Sequence, residues 1–278
     1  MEPIITLTTD FGTTDGYVGA MKGVLLGICP KARLVDITHE IPHRDVRRAA
    51  ITLWSVASFC PAGTVHLVVV DPTVGTARRP LALYANGMFF VGPDNGVFTL
   101  VAAEGTSVVA LEETVYHRQT GPISATFHGR DVFAPVAAHL ASGVSLEALG
   151  TRVDCWVRLP FPPFVSHGAN RWSGEVLYLD HFGNGVTNLR VLETHGERMR
   201  LVPLGSPAPL PNLQMAANHI CWRERELPLV RTYGDVAPGQ TLALIGSQGL
   251  VEIAVCDGSA GASLGVQPGD PVWFISEC

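Results

Sequence analysis

Lysine is almost missing from this chain: of 19 basic residues among 278, only Lys22 and Lys31 are lysines, and 25 acidic residues bring the formal charge to −6. No basic stripe remains to follow a phosphate backbone, which argues against a nucleic-acid partner. There is no run of about 18 apolar residues that could span a bilayer. No charged start with an apolar signal core precedes the strand-like Ile4–Leu7, so the expectation is a cytoplasmic, non-membrane protein. The six cysteines form no C-x-x-C pair, and their wide spacing fits neither a zinc site nor a small disulfide scaffold. Repeats and low-complexity tracts are lacking too. What is present is a globular composition, 47% hydrophobic and 16% charged, without the signature of disorder.

The first half alternates short β-like runs with helical periodicity. Ile4–Leu7 precedes a segment that places Tyr17, Met21, Val24, Leu25 and Ile28 on one face. Arg33–Ile37 reads as a strand, Val46–Phe59 as a helix, and the continuously apolar Val65–Val70 as a strand buried on both sides. Leu81–Val91 reads as a hairpin turning at Asn86-Gly87, and helical periodicity returns over Val132–Leu140. The pattern predicts an α/β domain with a mainly parallel central sheet over residues 1–160. The proline-rich stretch Leu159–Phe164 interrupts it, so residues 161–170 are read as a linker. Residues 171–278 carry short strand-like runs with Gly, Pro and Asp-Gly turns, which predict a small all-β sandwich or barrel.

Ligands of open α/β sheets bind beyond the carboxyl ends of the strands. Four unusual loops fall there: Thr9–Gly16, Asp71–Arg79, Gly92–Gly96 and Thr126–Asp131. Each sets an acid or a histidine beside glycines that permit close backbone approach. Taken singly they have plain structural readings: Asp-Pro and Asp-Asn-Gly are ordinary turn chemistry, and Asp10, Asp15 or Asp131 could cap a helix. Four in succession point to a site.

In this order and with these neighbours, the loops resemble the S-adenosyl-L-methionine (SAM) hydroxide adenosyltransferase family, whose relatives include SAM-dependent fluorinases and chlorinases. The likeness runs over nearly the whole chain. Asp180-His181-Phe182-Gly183-Asn184 looks like the family's second-domain SAM motif, and Gly246–Ala254 like its closing motif. The resemblance implies an N-terminal α/β domain, a C-terminal β-barrel, and a homotrimer with active sites between subunits. It implies a catalytic triad of Asp71, Arg78 and His128. It also implies SAM contacts from Asp10 on the ribose, Phe127 nearby, Phe182 and Asn184 on adenine, and Ser247 and Glu252 at the methionine end. SAM is then the substrate, with no cofactor and no metal. Halogenases of this kind carry Tyr in place of Asp71, and fluorinases insert a long loop before Pro93. Neither feature is present here, which points to water as nucleophile. This chain departs from its relatives at Thr73, where a glycine is common. It departs again at Gln248 and Cys256, and at Arg44, where fluorinases have Trp.

The residue chemistry agrees. A sulfonium activates its own ribose C5′ and leaves as neutral methionine, so no metal is required to polarise it. Water must be held in line and relieved of a proton. His128 is the natural base, with an unperturbed pKa near ~6.5. Arg78 stays charged, and Asp71 can orient either partner. Rival readings are a metallohydrolase using Asp10, Asp71, Asp94 and His128 as ligands, a SAM-binding protein without turnover, and a halogenase. His39, Glu40, His43 and Asp45 lack metalloprotease spacing and read as structural.

Overall fold

The computed structural model describes residues 2–103, 105–168, 170–195, 198–204, 212–214 and 218–276. It divides into two compact units, Met1–Leu159 and Pro160–Cys278.

In the first unit the chain runs β1 (Ile4–Thr9), α1 (Tyr17–Ile28), β2 (Arg33–Thr38), α2 (Val46–Ala57), β3 (Val65–Val69), β4 (Pro80–Ala85), β5 (Met88–Pro93), β6 (Ser107–Ala110) and α3 (Ala134–Ala141). The strands form one sheet in the order β2-β1-β3-β5-β4-β6. β3 is buried along its whole length, as expected for a strand covered on both faces. Its alternation sorts the two layers. Val65, Leu67 and Val69 join the core under α1 and α3, while Val68 and Val70 join the core that takes Ala49 and Leu53 of α2.

The sheet corrects one expectation. It is mixed: β1 is parallel to β2 and β3, and β3 to β5, but β4 is antiparallel to both β5 and β6. The cause is local. Asn86 and Gly87 both take positive φ, 52° and 79°, which is the two-residue turn that returns a strand beside itself. The parallel array therefore stops at β5. The ends of β1 and β3 that carry the site lie inside that array.

The second unit holds β7 (Val165–Ser166), β8 (Arg171–Leu179), β9 (Gly185–His195), β10 (Arg198–Pro203), β11 (Asn212–Gln214), β12 (Asn218–Trp222), β13 (Arg225–Val230), β14 (Thr241–Ile245), β15 (Leu250–Val255), α4 (Ala260–Leu264) and β16 (Pro271–Ser276). Strands pair in the order β9-β15-β14-β13-β12-β16-β8, and β8 pairs back onto β9. Seven strands thus close a barrel, so no edge is left open around its girth. Trp172, Trp222, Phe274 and Ile220 fill it. Full burial of a side chain such as Phe274 stabilises by roughly 1.5–3 kcal/mol.

Candidate active site

Asp71 follows the carboxyl end of β3, and Arg78 lies seven residues on in the same loop. His128 immediately precedes a π-helical turn, Gly129–Phe133, that leads into α3. One glycine brings the two segments together. Gly75 has φ +78°, and a Cβ there would stand 2.5 Å from the Ala125 carbonyl oxygen. Any side chain at 75 would push the Asp71–Arg78 loop off the segment that carries His128.

The three predicted side chains meet. Arg78 Nε donates to Asp71 Oδ1 and Oδ2 at 3.0 and 2.9 Å. Its Nη2 donates to Asp71 Oδ2 and lies 2.8 Å from His128 Nδ1. The Arg78 and Asp71 side chains are only 6% and 5% exposed, so the pair sits where water screens it little. A guanidinium has no acceptor atom, so His128 Nδ1 must accept, and the neutral ring then carries its hydrogen on Nε2. Burial holds the His128 pKa below the ordinary histidine value, and the Arg78 charge pushes it the same way. Asp71 and Asp131 pull it partly back.

A cavity of about 480 Å³ opens over these residues, lined by Asp71 and His128 together with Asp10, Phe127, Tyr17 and Arg44 among others. Asp10 follows β1. Its Oδ2 accepts the Arg44 amide at 2.9 Å and lies 3.5 Å from His43 Nδ1, so Oδ1 is left for a ligand. Arg44 adopts φ +66°, a rare conformation for a non-glycine residue that here turns its amide toward the carboxylate. Phe127 packs edge-on against Phe11 and Tyr17, with centroids 5.8 and 5.3 Å apart. The first unit therefore brings Asp10, Asp71, Arg78, Phe127 and His128 to one place.

Asp94 belongs to a different arrangement. Arg79 Nε and Nη2 donate to its Oδ2 at 2.9 and 2.6 Å, and Val157 N donates to Oδ1 at 2.7 Å. With Asp71 and Asp94 each paired to a guanidinium, the four residues do not form a free set of metal ligands. His39, Glu40, His43 and Asp45 also go to separate partners: Thr9, Thr13, Asp10 and the amide of Arg48, which Asp45 caps at the start of α2. Asp15 provides no cap for α1.

In the second unit, Asp180 organises the predicted motif. Its Oδ1 accepts the Phe182 and Asn184 amides at 2.9 and 2.8 Å, and its Oδ2 accepts Asn184 Nδ2 at 3.0 Å. This turn leaves Phe182 74% exposed. Asn184 Nδ2 also reaches Tyr233 Oη at 3.3 Å, and the Tyr233 hydroxyl donates to Glu252 Oε2 at 3.1 Å. Burial pushes the Glu252 carboxyl above its ordinary pKa; the Tyr233 hydrogen bond opposes this and Asp180 adds to it. The Tyr233 hydroxyl is pushed up to about 12, by burial and then by Glu252. Ser247 lies exposed in the turn before β15. The sequence reading gives no role to Tyr17, which lines the cavity, or to Tyr233, which joins Asn184 to Glu252. In the sequence Tyr17 marks only a helix face, and a lone Tyr such as Tyr233 gives no motif signal.

Residues 5–150 match the model of the SAM hydroxide adenosyltransferase N-terminal domain, and residues 174–273 that of its C-terminal domain. An (R)-S-adenosyl-L-methionine hydrolase from Salinispora tropica is 44% identical over 96% of both chains. One from Thermus thermophilus is 39% identical over 99% of this chain and all of its own. Fluorinases are among the more distant matches. A crystal structure of an uncharacterised protein from Thermotoga maritima superposes with a TM-score of 0.82 at 34% identity, covering 98% of this chain and 99% of that one. With both domain models matched in order, this chain belongs to the SAM hydroxide adenosyltransferase family.

Proposed function

We propose that this protein hydrolyses SAM to adenosine and L-methionine, with a water molecule held by Asp71 and His128 attacking ribose C5′ opposite sulfur. Asp71 and His128 line one cavity and are tied together by Arg78, and that arrangement carries the reading. Family membership and the hydrolase names of relatives along nearly the full chain support it. The proton assignment follows from the hydrogen bonds. The basic lone pair of His128 is already given to Arg78, so the ring presents Nε2–H and orients the water, while Asp71 is the carboxylate available to take the proton. Arg78 locks both partners and stabilises the charge that develops between them.

Asp10 then binds a ribose hydroxyl through its free oxygen, with Phe127 packed alongside. The exposed Phe182 offers a face for adenine, with Asn184 as its hydrogen-bonding neighbour. Ser247 and Glu252 take the methionine end. The reaction uses no metal and no cofactor, a reading supported by the self-activated sulfonium and by the guanidinium pairs on Asp71 and Asp94. We place it in the cytoplasm, in a homotrimer with active sites between subunits, as the family resemblance implies.

Incubation with SAM should release adenosine and methionine in equal amounts, unchanged by chelators and without 5′-chloro-5′-deoxyadenosine when chloride is supplied. Binding without adenosine release would leave only a SAM-binding protein. His128→Asn, which keeps an acceptor for Arg78, should lose less turnover than Asp71→Asn. The reverse order would restore His128 as the base.

A further inference from the structure

The hairpin of β12 and β13 carries a cluster that the hydrolytic site does not use. Ile220 and Trp222 point into the barrel, so alternation sets His219 and Cys221 side by side on the outer wall. Glu226 of β13 pairs directly with Cys221 and therefore shares that face. His219 Nε2 stands 3.9 Å from Glu226 Oε1. The nitrogen, sulfur and carboxylate oxygen of the three all lie within 4.8 Å of one another.

Ligand atoms on a single tetrahedral ion stand roughly 3.3–3.8 Å apart, given metal–ligand bonds of ~2.0–2.3 Å. The cluster is thus within about an ångström of closing. Glu226, 77% exposed, has the freedom to swing inward. The backbone fixes the other two ligands on adjacent turns of a closed barrel's pleat, so little ordering is needed on binding. A thiolate, an imidazole and a carboxylate together favour a borderline-soft divalent cation over calcium or magnesium.

We propose that His219, Cys221 and Glu226 bind a zinc ion on the outer wall of the barrel, with water as the fourth ligand. Neutral His219 coordinates without losing a proton. The Cys221 thiol releases its proton to solvent as the sulfur–metal bond forms. None of the three lines the cavity of the first unit or is among the residues of either unit assigned to SAM.

Cobalt tests it, because a cobalt–thiolate bond absorbs in the near ultraviolet whatever the enzyme's activity. Titrating the purified full-length protein with Co2+ under reducing conditions should raise that band to saturation at a single equivalent, and Zn2+ should displace it. Cys221→Ser should abolish the band. Glu226→Gln should keep it while weakening Co2+ affinity at least several-fold. No saturable band in the wild-type protein, an undiminished band in Cys221→Ser, or unchanged affinity in Glu226→Gln would each overturn the proposal. Glu226 is exposed and His219 and Cys221 are half-buried on the outer wall, outside the barrel core, so circular dichroism and thermal melting of both variants should match the parent.

Discussion

Two buried acids, one in each unit, behave in opposite ways. Asp131 in the first unit has no exposed surface. Burial alone would raise its pKa, but hydrogen bonds from Arg130 and Arg118, with the Ser124 amide, hold it well below the usual carboxylate range. Glu252 in the second unit is nearly as buried, 9% exposed. It has the Tyr233 hydroxyl as donor and Asp180 as a like-charged neighbour, so burial wins and its pKa rises. The difference lies in the partner rather than in the depth of burial. The first unit builds its site from ion pairs formed before substrate arrives; the second uses neutral hydrogen bonds around a carboxyl whose charge is costly. A cationic sulfonium is the kind of ligand that could repay that cost.

The sharpest break in this comparison is to remove the cation from the pair in the first unit. Arg78→Met should lower kcat for SAM hydrolysis roughly 10²–10³-fold, about the effect of losing one preorganised donor. It should also leave Asp71 buried without its partner. Steady-state release of adenosine measures the loss, and an unchanged kcat would show that the guanidinium is only structural.

Acid should separate the units next. His66 is wholly buried, bonded to Thr6 and stacked on Phe90 with ring centroids 5.0 Å apart. Burial lowers its pKa to about 4. The unfolded chain therefore binds the proton first as pH falls, so the stability His66 contributes is complete above about 6.5 and drains away between that value and about 4. The loss should amount to about 3 kcal/mol in urea titrations that follow the first unit. His66→Met should flatten it, and a variant with the same acid loss would shift the blame to other groups.

Much of this was legible beforehand, and the limits have physical causes. Val65–Val70 announced a two-sided strand, and Asn86-Gly87 announced its hairpin because φ > 0 at both positions is written in those residue types. The same hairpin makes β4 antiparallel to β5 and the sheet mixed, whereas the docking of β6 on β4 leaves no local mark. Asp71, Arg78 and His128 come from the resemblance of their loops to the family; residue chemistry alone marks only four glycine-bearing loops beyond strand ends. The partnership of Arg44 with Asp10 was not legible, since only the fold puts φ +66° on an arginine. In the barrel, Gly185–His195 gives no clean strand alternation, because Thr187 and Asn188 are polar yet wholly buried, with Asn188 bonded to the Glu175 amide and the Pro162 carbonyl. Closure of β8 onto β9 is a long-range pairing with no local signal.

A smaller effect should follow from Asp131→Asn. The amide keeps the shape and some acceptor capacity but loses the charge that Arg118 and Arg130 share, a cost of about 2 kcal/mol for charge-assisted hydrogen bonds. Asp131 also raises the His128 pKa. Removing it should therefore move the acid limb of the kcat profile to lower pH, since His128 then stays neutral further into acid. A limb that moves upward would mean that another group sets it.

Glu252→Gln should do least to stability and say most about the second unit. Burial makes the Glu252 charge costly, and the glutamine oxygen can accept the Tyr233 hydroxyl in its place. Unfolding free energy should change by less than about 1 kcal/mol. The binding of SAM is another matter. If Glu252 meets the cationic methionine end, the glutamine loses that attraction, and KM should rise while kcat holds, as expected when binding is lost equally from ground and transition states. Gly246 sets the limit on any alternative, since a Cβ there would lie 1.8 Å from Glu252 Oε1. The carboxyl is thus seated against bare backbone with little room to turn elsewhere. Unchanged KM with a large loss of stability would reverse the assignment and make Glu252 a structural acid like Asp131, erasing the contrast between the units.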